Sequence, residues 1–178
     1  MKQITKILTL GILFFLAFSM QLSAQKCKYD FDKKDPITGE TTKKNTVTIS
    51  ISPYYWKLGY SRTGDNFQVE MFIRCNGNLR EIIQKGDPII LKLSNDEIIT
   101  VYSKDEFLPF AQTSSSQTAT RVLSTYNGKY DIDATSLQKI AENPPTFIRM
   151  NIESKVYEKE ISAKDGKILA KAAACILQ

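Results

Sequence analysis

The sequence contains no histidine among its 178 residues. Histidine is the commonest general base and the commonest metal ligand, because its ordinary pKa lies close to neutral pH. Its absence excludes Ser-His-Asp and Cys-His catalysis, and it excludes every zinc site that needs an imidazole ligand. The sequence therefore favours a protein that is not an enzyme, with no catalytic residue, no metal ion and no cofactor.

Charge and long apolar runs are also scarce. The chain has 24 Lys and Arg against 19 Asp and Glu. Without Lys2 and Lys6, which lie in a predicted leader, 22 basic residues remain and the net charge is +3. So small an excess does not favour nucleic acid as a partner. No second apolar run long enough to span a membrane follows the leader.

The first 24 residues have the layout of a secretory signal peptide. A basic start precedes an uncharged apolar run over residues 7–20, and the small residue Ala24 ends the segment. The run is short for a membrane span of about 20 residues, so we expect cleavage rather than anchoring. Lipid attachment at Cys27 needs a small residue before it, and Lys26 stands there. The sequence predicts a secreted or periplasmic protein, residues 25–178, that is not a lipoprotein.

Three cysteines, Cys27, Cys75 and Cys175, are an odd number for an oxidising compartment. Cys75 belongs to the apolar face of a predicted strand, where a buried and unreactive thiol is the simplest interpretation. Cys27 and Cys175 lie near the two ends of the mature chain, and a bridge between them would stabilise the fold by about 2–4 kcal/mol. We favour this pair as the disulfide. A Cys75–Cys175 bridge and no bridge remain alternatives, because connectivity does not follow from sequence.

The most regular stretch, residues 66–103, predicts a meander of antiparallel strands. Residues 67–75 alternate between apolar and mostly polar side chains, and Asn76-Gly77-Asn78 predicts a tight reversal after them. Short turns between successive strands impose antiparallel pairing, because parallel strands need a long crossover. The further strands predicted in this meander are residues 79–84, 89–93 and 98–102.

The rest of the chain predicts more strands and two helices. Asp133 is the expected N-cap of a short helix that ends at Asn143, and Ser162 is the expected N-cap of a C-terminal helix. Residues 104–120 show little periodicity and predict a mobile or partner-contacting loop. The remaining predicted strands are 26–31, 42–52, 54–60, 121–126, 146–153 and 155–161. A turn is predicted at Asn127-Gly128, after the strand 121–126. The apolar stripe of the last helix is Ile168, Leu169, Ala172, Cys175 and Ile176.

These elements predict an α+β fold in a single domain over residues 25–178. The expected architecture is a strand-dominated antiparallel meander or flattened barrel, with the short helix and the C-terminal helix packed on it.

The most aromatic stretch of the chain is the candidate ligand-binding site. Its residues are Tyr54, Tyr55, Trp56 and Tyr60. Such a cluster serves either as a stacking platform for a sugar or partner, or as ordinary packing within a strand. The exposure of Trp56 distinguishes the two interpretations.

Several short patterns resemble small secreted proteins of Bacteroidota. They are Tyr29-Asp30-Phe31-Asp32 with Thr38-Gly39-Glu40, the run Lys85-Gly86-Asp87-Pro88-Ile89-Ile90-Leu91-Lys92-Leu93, and Phe147-Ile148-Arg149-Met150. The leader ending in Ala24-Gln25 is similar to theirs. The resemblance implies export and one small domain, and it implies no activity and no site residue.

The favoured function is a non-catalytic secreted or periplasmic binding or interaction domain, whose ligand is a protein or glycan of the cell envelope. One alternative is a small histidine-free hydrolase that acts on envelope polymers with carboxylates or a lysine. Another is a structural component of a surface assembly, formed through free strand edges. A deep pocket lined by several carboxylates with shifted pKa values would favour the hydrolase, and a flat surface would favour binding.

Overall fold

The computed structural model describes residues 27–50, 55–115, 120–152 and 155–178. The predicted signal peptide lies outside these ranges. The strands of the described chain are β1 Phe31–Lys34, β2 Thr41–Ser50, β3 Tyr55–Thr63, β4 Asn66–Asn76, β5 Pro88–Leu93, β6 Ile98–Tyr102, β7 Phe110–Ser115, β8 Thr120–Ile132, β9 Pro145–Ile152 and β10 Lys155–Glu160. The helices are α1 Ala134–Glu142 and α2 Ala163–Leu177.

The strands form two antiparallel sheets. The six-stranded sheet has the order β1-β2-β3-β4-β8-β7, and the four-stranded sheet has the order β10-β9-β5-β6. An isolated bridge between Ser103 and Tyr130 links the end of β6 to β8 of the larger sheet. Strands dominate and two helices complete the fold, which confirms the predicted α+β class.

Alternation along β3 and β4 separates a buried face of the six-stranded sheet from an outer face. Leu58 pairs with Met71 and Trp56 with Ile73, and these side chains are buried in the core. Side chains of the opposite parity point the other way. They are Tyr55, Lys57, Gly59 and Ser61 on β3 and Gln68, Glu70, Phe72 and Arg74 on β4. This side is called the outer face below.

The predicted meander over residues 66–103 is only partly correct. β4 pairs with β3 and β8 in one sheet, whereas β5 and β6 belong to the other sheet. Residues 79–84 do not form the predicted strand; Ile83 makes an isolated bridge to Phe107. An apolar run indicates that its residues are buried, but it does not show that they pair with a neighbouring strand. Ile83 is buried without belonging to a continuous strand pairing.

A second correction concerns the turn predicted at Asn127-Gly128. β8 continues through both residues and pairs with β4 from Leu123 to Ile132. Gly128 serves close packing here: a Cβ atom at this position would lie 3.0 Å from the Tyr130 ring and 3.4 Å from the Phe107 ring. Glycine in a strand often marks such an approach rather than a turn.

Residues 104–120, predicted as a loop, contain strand β7, which pairs with β8. Polar Gln, Thr and Ser side chains carry no alternation there, so the sequence gives no signal of period two. Residues 116–119 lie outside the described part of the chain.

Both helices begin where the sequence predicts. The Asp133 side chain accepts a hydrogen bond from the Ser136 amide, and Ser162 accepts one from the Asp165 amide. Helix α2 packs against β2, β3, β9 and α1. Its buried side includes Leu169 and Ile176, but Ile168 is 43% exposed, so the predicted apolar stripe is wrong at that position.

Cys27 and Cys175 are joined in a disulfide across a sequence separation of 148, with their Cα atoms 5.6 Å apart. The bridge ties the segment before β1 to the last helix. Cys75 is a free and buried cysteine, and burial raises the pKa of its thiol to about 11. Within the described ranges, no helix has the length and apolar character needed to cross a membrane.

Candidate functional site

The structure separates the members of the predicted aromatic site. Trp56, only 1% exposed, and Tyr60 are buried in the core, so neither ring is available to a ligand at the surface. Tyr55 has the opposite parity to both along β3 and therefore points to the outer face. Tyr54 lies outside the described residues. Of the four residues, Tyr55 is the one that the structure places at a surface.

Tyr55 belongs to a compact cluster with Lys57, Phe72 and Arg74, which we call the cation–aromatic cluster. The Tyr55 and Phe72 rings meet edge to face, with centroids 5.9 Å apart. Lys57 Nζ lies 5.5 Å from the Tyr55 centroid and 5.9 Å from the Phe72 centroid. The Arg74 guanidinium lies 5.6 Å and 5.4 Å from the same two centroids. Each cation therefore contacts both rings, at distances where cation–π attraction operates.

The register of the sheet explains this arrangement. Tyr55 pairs with Arg74, and Lys57 pairs with Phe72, so each cross-strand pair joins one ring and one cation. Paired side chains and their diagonal neighbours on one face lie within reach of each other. The result is a cluster in which each ring lies next to both cations on adjacent strands.

Neither cation of the cluster makes an ion pair with a residue in the described ranges, whereas eight other basic side chains do. A hydrogen bond from Thr48 and a second from Lys57 lower the pKa of the Tyr55 phenol below its ordinary value. Lys57 and Arg74 therefore carry two positive charges that no carboxylate of the described residues neutralises through an ion pair. An anionic group of a ligand would neutralise these charges.

Beside the cluster, the outer face contains a cleft of about 440 Å³. One row of cross-strand partners passes through this part of the outer face, from β2 to β8. Its residues are Thr46, Gly59, Glu70 and Lys129. Gly59 has no side chain to fill the row, and a Cβ atom there would lie 2.4 Å from the Asn45 carbonyl oxygen. Glycine at this position therefore opens the cleft and permits close approach of β2 to β3.

Glu70 lies at the bottom of this cleft between two lysines. Its carboxylate forms ion pairs with Lys44 and, at 3.7 Å, with Lys129. Burial by itself would raise the pKa of Glu70, but hydrogen bonds from Lys44 and Ser61 and the charges of both lysines outweigh it and lower the pKa. Glu70 is therefore ionised and already balanced by cations. The cleft rim adds the uncharged polar side chains of Thr46, Thr48 and Asn127.

The described residues contain no cluster of three or more Cys, Asp or Glu side chains that could hold a metal ion. Glu70 is the buried carboxylate of the cleft, and its lowered pKa opposes a role as a general acid, which needs a raised one. The outer face presents charged and polar side chains around the cleft.

The sequence does not by itself identify four residues of this site: Lys57, Glu70, Phe72 and Arg74. One signal was available: Phe72 has the parity of the polar residues on β4, and an aromatic residue on a polar face calls for an explanation. Which cations would surround it depended on the register between β3 and β4, and periodicity within one strand does not determine that register.

Comparison of the chain with protein-family models, with curated proteins and with solved structures finds no significant match.

Proposed function

We propose that this protein is a non-catalytic binding domain whose ligand is an acidic glycan of the cell envelope, held on the outer face of the six-stranded sheet. One observation carries the proposal: Lys57 and Arg74 lie over the Tyr55 and Phe72 rings without an acidic partner among the described residues. The rings hold both cations in place, so a carboxylate of the ligand finds them already oriented.

The polar rim of the neighbouring cleft favours a glycan over an acidic protein segment. Thr46, Thr48 and Asn127 offer hydroxyl and amide groups of the kind that hydrogen-bond a polyhydroxylated ligand. A protein interface would instead centre on exposed aromatic faces. Here both rings of the cluster are contacted by cations.

The leader predicted at residues 1–24 supports export to the periplasm or beyond, and the patterns similar to secreted proteins of Bacteroidota support the same compartment.

We also propose that the two sheets, joined by the Ser103–Tyr130 bridge, behave as one flattened barrel. The cleft is lined by two carboxylates, Asp30 and Glu70, and Glu70 does not support the hydrolase alternative, since it is ionised and paired.

The test is binding of the mature chain to polygalacturonate, measured by isothermal titration calorimetry, with a neutral polysaccharide of similar length as the reference. We expect binding to the acidic polymer only, weakening as salt screens the charges. The variant Lys57→Gln/Arg74→Gln should bind the acidic polymer at least about tenfold more weakly, because it removes both cations. A tenfold loss corresponds to about 1.4 kcal/mol of binding free energy.

The matched control is Lys92→Gln/Arg149→Gln, which removes the same charges from the four-stranded sheet and should bind like the wild type. Equal binding to both polymers, or equal loss in both variants, would contradict the proposal. Binding of poly-glutamate but not of the acidic polysaccharide would assign an acidic protein segment instead. Release of reducing ends during the titration would favour the hydrolase.

A further inference from the structure

The two sheets of the described residues have four edges, and three of them are protected in ways that natural proteins commonly use. β1 carries Asp32, Lys33 and Lys34 in a strand of four residues. β10 carries Lys155, Glu158, Lys159 and Glu160. β6 lies against β8 of the larger sheet, next to the Ser103–Tyr130 bridge. Charged side chains and covering by another element prevent unwanted pairing at an edge.

The fourth edge, β7, has none of these protections from the part of the chain that the structure describes. Its six residues, Phe-Ala-Gln-Thr-Ser-Ser, include no charged residue and no proline. Its pairing with β8 is continuous from Phe110 to Ser115, without the register shift that interrupts β2–β3 and β5–β9. No other strand of the described chain pairs with its far side. Residues 110–113 are exposed, and the Phe110 side chain is 64% exposed.

We propose that β7 pairs with β7 of a second copy of this chain, antiparallel and about a two-fold axis, so that two six-stranded sheets become one continuous sheet. The composition of β7 favours a second copy of the same strand as its partner. Antiparallel pairing about a two-fold axis brings the side chain nearest the axis opposite its own copy, and like charges there would repel. Uncharged polar side chains such as Gln112 and Thr113 tolerate each other across such an axis and can hydrogen-bond there.

The symmetry also limits the assembly. A two-fold contact uses the same strand on both copies, so it removes both unprotected edges and closes as a dimer. A ladder of six residues buries little area, and association of this size is weak and reversible. Exposed Leu108 and Phe110 at the start of the strand add apolar area at each end of the ladder.

Analytical ultracentrifugation of the mature chain across a concentration series tests the proposal. We expect a reversible monomer–dimer equilibrium, with amides of residues 110–115 gaining hydrogen-exchange protection as the concentration rises. Gln112→Lys and Gln112→Glu should each be monomeric, because each puts like charges near the axis. A mixture of the two variants should restore dimers, since opposite charges then meet.

The matched control is Val156→Lys, which adds a lysine to β10 at a position that is 60% exposed and should dimerise like the wild type. Thermal unfolding checks that every variant is folded. A wild-type chain that stays monomeric at all concentrations overturns the proposal, as does a dimer that survives both charge changes at residue 112. A mixture that remains monomeric, or an assembly larger than a dimer, overturns the antiparallel two-fold contact. Loss of glycan binding has no bearing on these outcomes.

Discussion

At the scale of single residues, the outer face of the six-stranded sheet carries both charges that are paired and charges that contact aromatic rings. Glu70 is buried and neutralised by Lys44 and Lys129, whereas Lys57 and Arg74 contact rings instead of carboxylates. A paired charge in a partly buried position contributes to stability, and an unpaired one at the surface is available for a ligand. The proposed function therefore assigns different roles to the two groups of residues, although they lie side by side.

Glu70→Gln should lower the free energy of unfolding at pH 7 by about 1 kcal/mol, because it removes a charged hydrogen-bond acceptor whose lysine partners are partly in solvent. The pKa of Glu70 is lowered from 4.5 in the folded state. Its contribution is therefore complete above that value and is lost as the pH falls through the lower, folded-state pKa. Urea denaturation at a series of pH values measures the difference between wild type and variant.

That difference should shrink as the solution is acidified below about pH 4.5, the ordinary value for this group. Glu158→Gln is the control, because its ion pair with Arg149 is half-exposed at both partners and should contribute little. A difference between Glu70→Gln and wild type that is constant across the acid range would contradict the assignment of an ionised, paired Glu70.

At the scale of elements, α2 closes one side of the core. It packs against β2, β3, β9 and α1, and its buried side includes Leu169, Ala172 and Ile176. The Gly166 position shows how close the helix approaches the sheet, since a Cβ atom there would lie 2.6 Å from the Pro145 carbonyl oxygen. The helix is thus fitted against β9 near its first turn and against the core along the rest of its length.

Ile176→Ala should cost about 2–4 kcal/mol of unfolding free energy, because it leaves a cavity where the side chain is now fully buried. Ile168→Ala, the same substitution on the exposed side of the helix, should change stability by about 0.5 kcal/mol or less. Both values come from urea denaturation followed by circular dichroism. Equal effects of the two substitutions would show that α2 does not dock through the side that contains Ile176.

At the scale of the whole molecule, the Cys27–Cys175 disulfide connects the segment before β1 to the end of α2. The Tyr29 hydroxyl strengthens the same junction by donating a hydrogen bond of 2.9 Å to the Cys175 carbonyl oxygen. A bridge that closes so long a loop acts mainly by limiting the conformations of the unfolded chain.

Reduction, or the variant Cys27→Ala/Cys175→Ala, should lower the free energy of unfolding by about 2–4 kcal/mol. Urea denaturation with and without dithiothreitol measures the effect. Cys75→Ala should keep its sensitivity to the reductant, since Cys75 is a free cysteine in the structure. A wild-type midpoint that does not move under reducing conditions would mean that the bridge does not stabilise the fold.

The sequence by itself determined the features that depend on neighbouring residues. Alternation over residues 67–75 predicts β4 and its buried parity, and the caps at Asp133 and Ser162 predict where both helices begin. These signals are local, because side-chain period and capping need only a few consecutive residues.

Only the tertiary structure decided which strands are neighbours and what each face meets. It assigned β5 to a different sheet from β4, carried β8 through Asn127-Gly128, and placed β7 at an unprotected edge. It also turned Trp56 into the core and brought Arg74 against Tyr55. Each of these outcomes depends on register with a distant segment, and contacts of that kind form through packing of the whole chain rather than local preference.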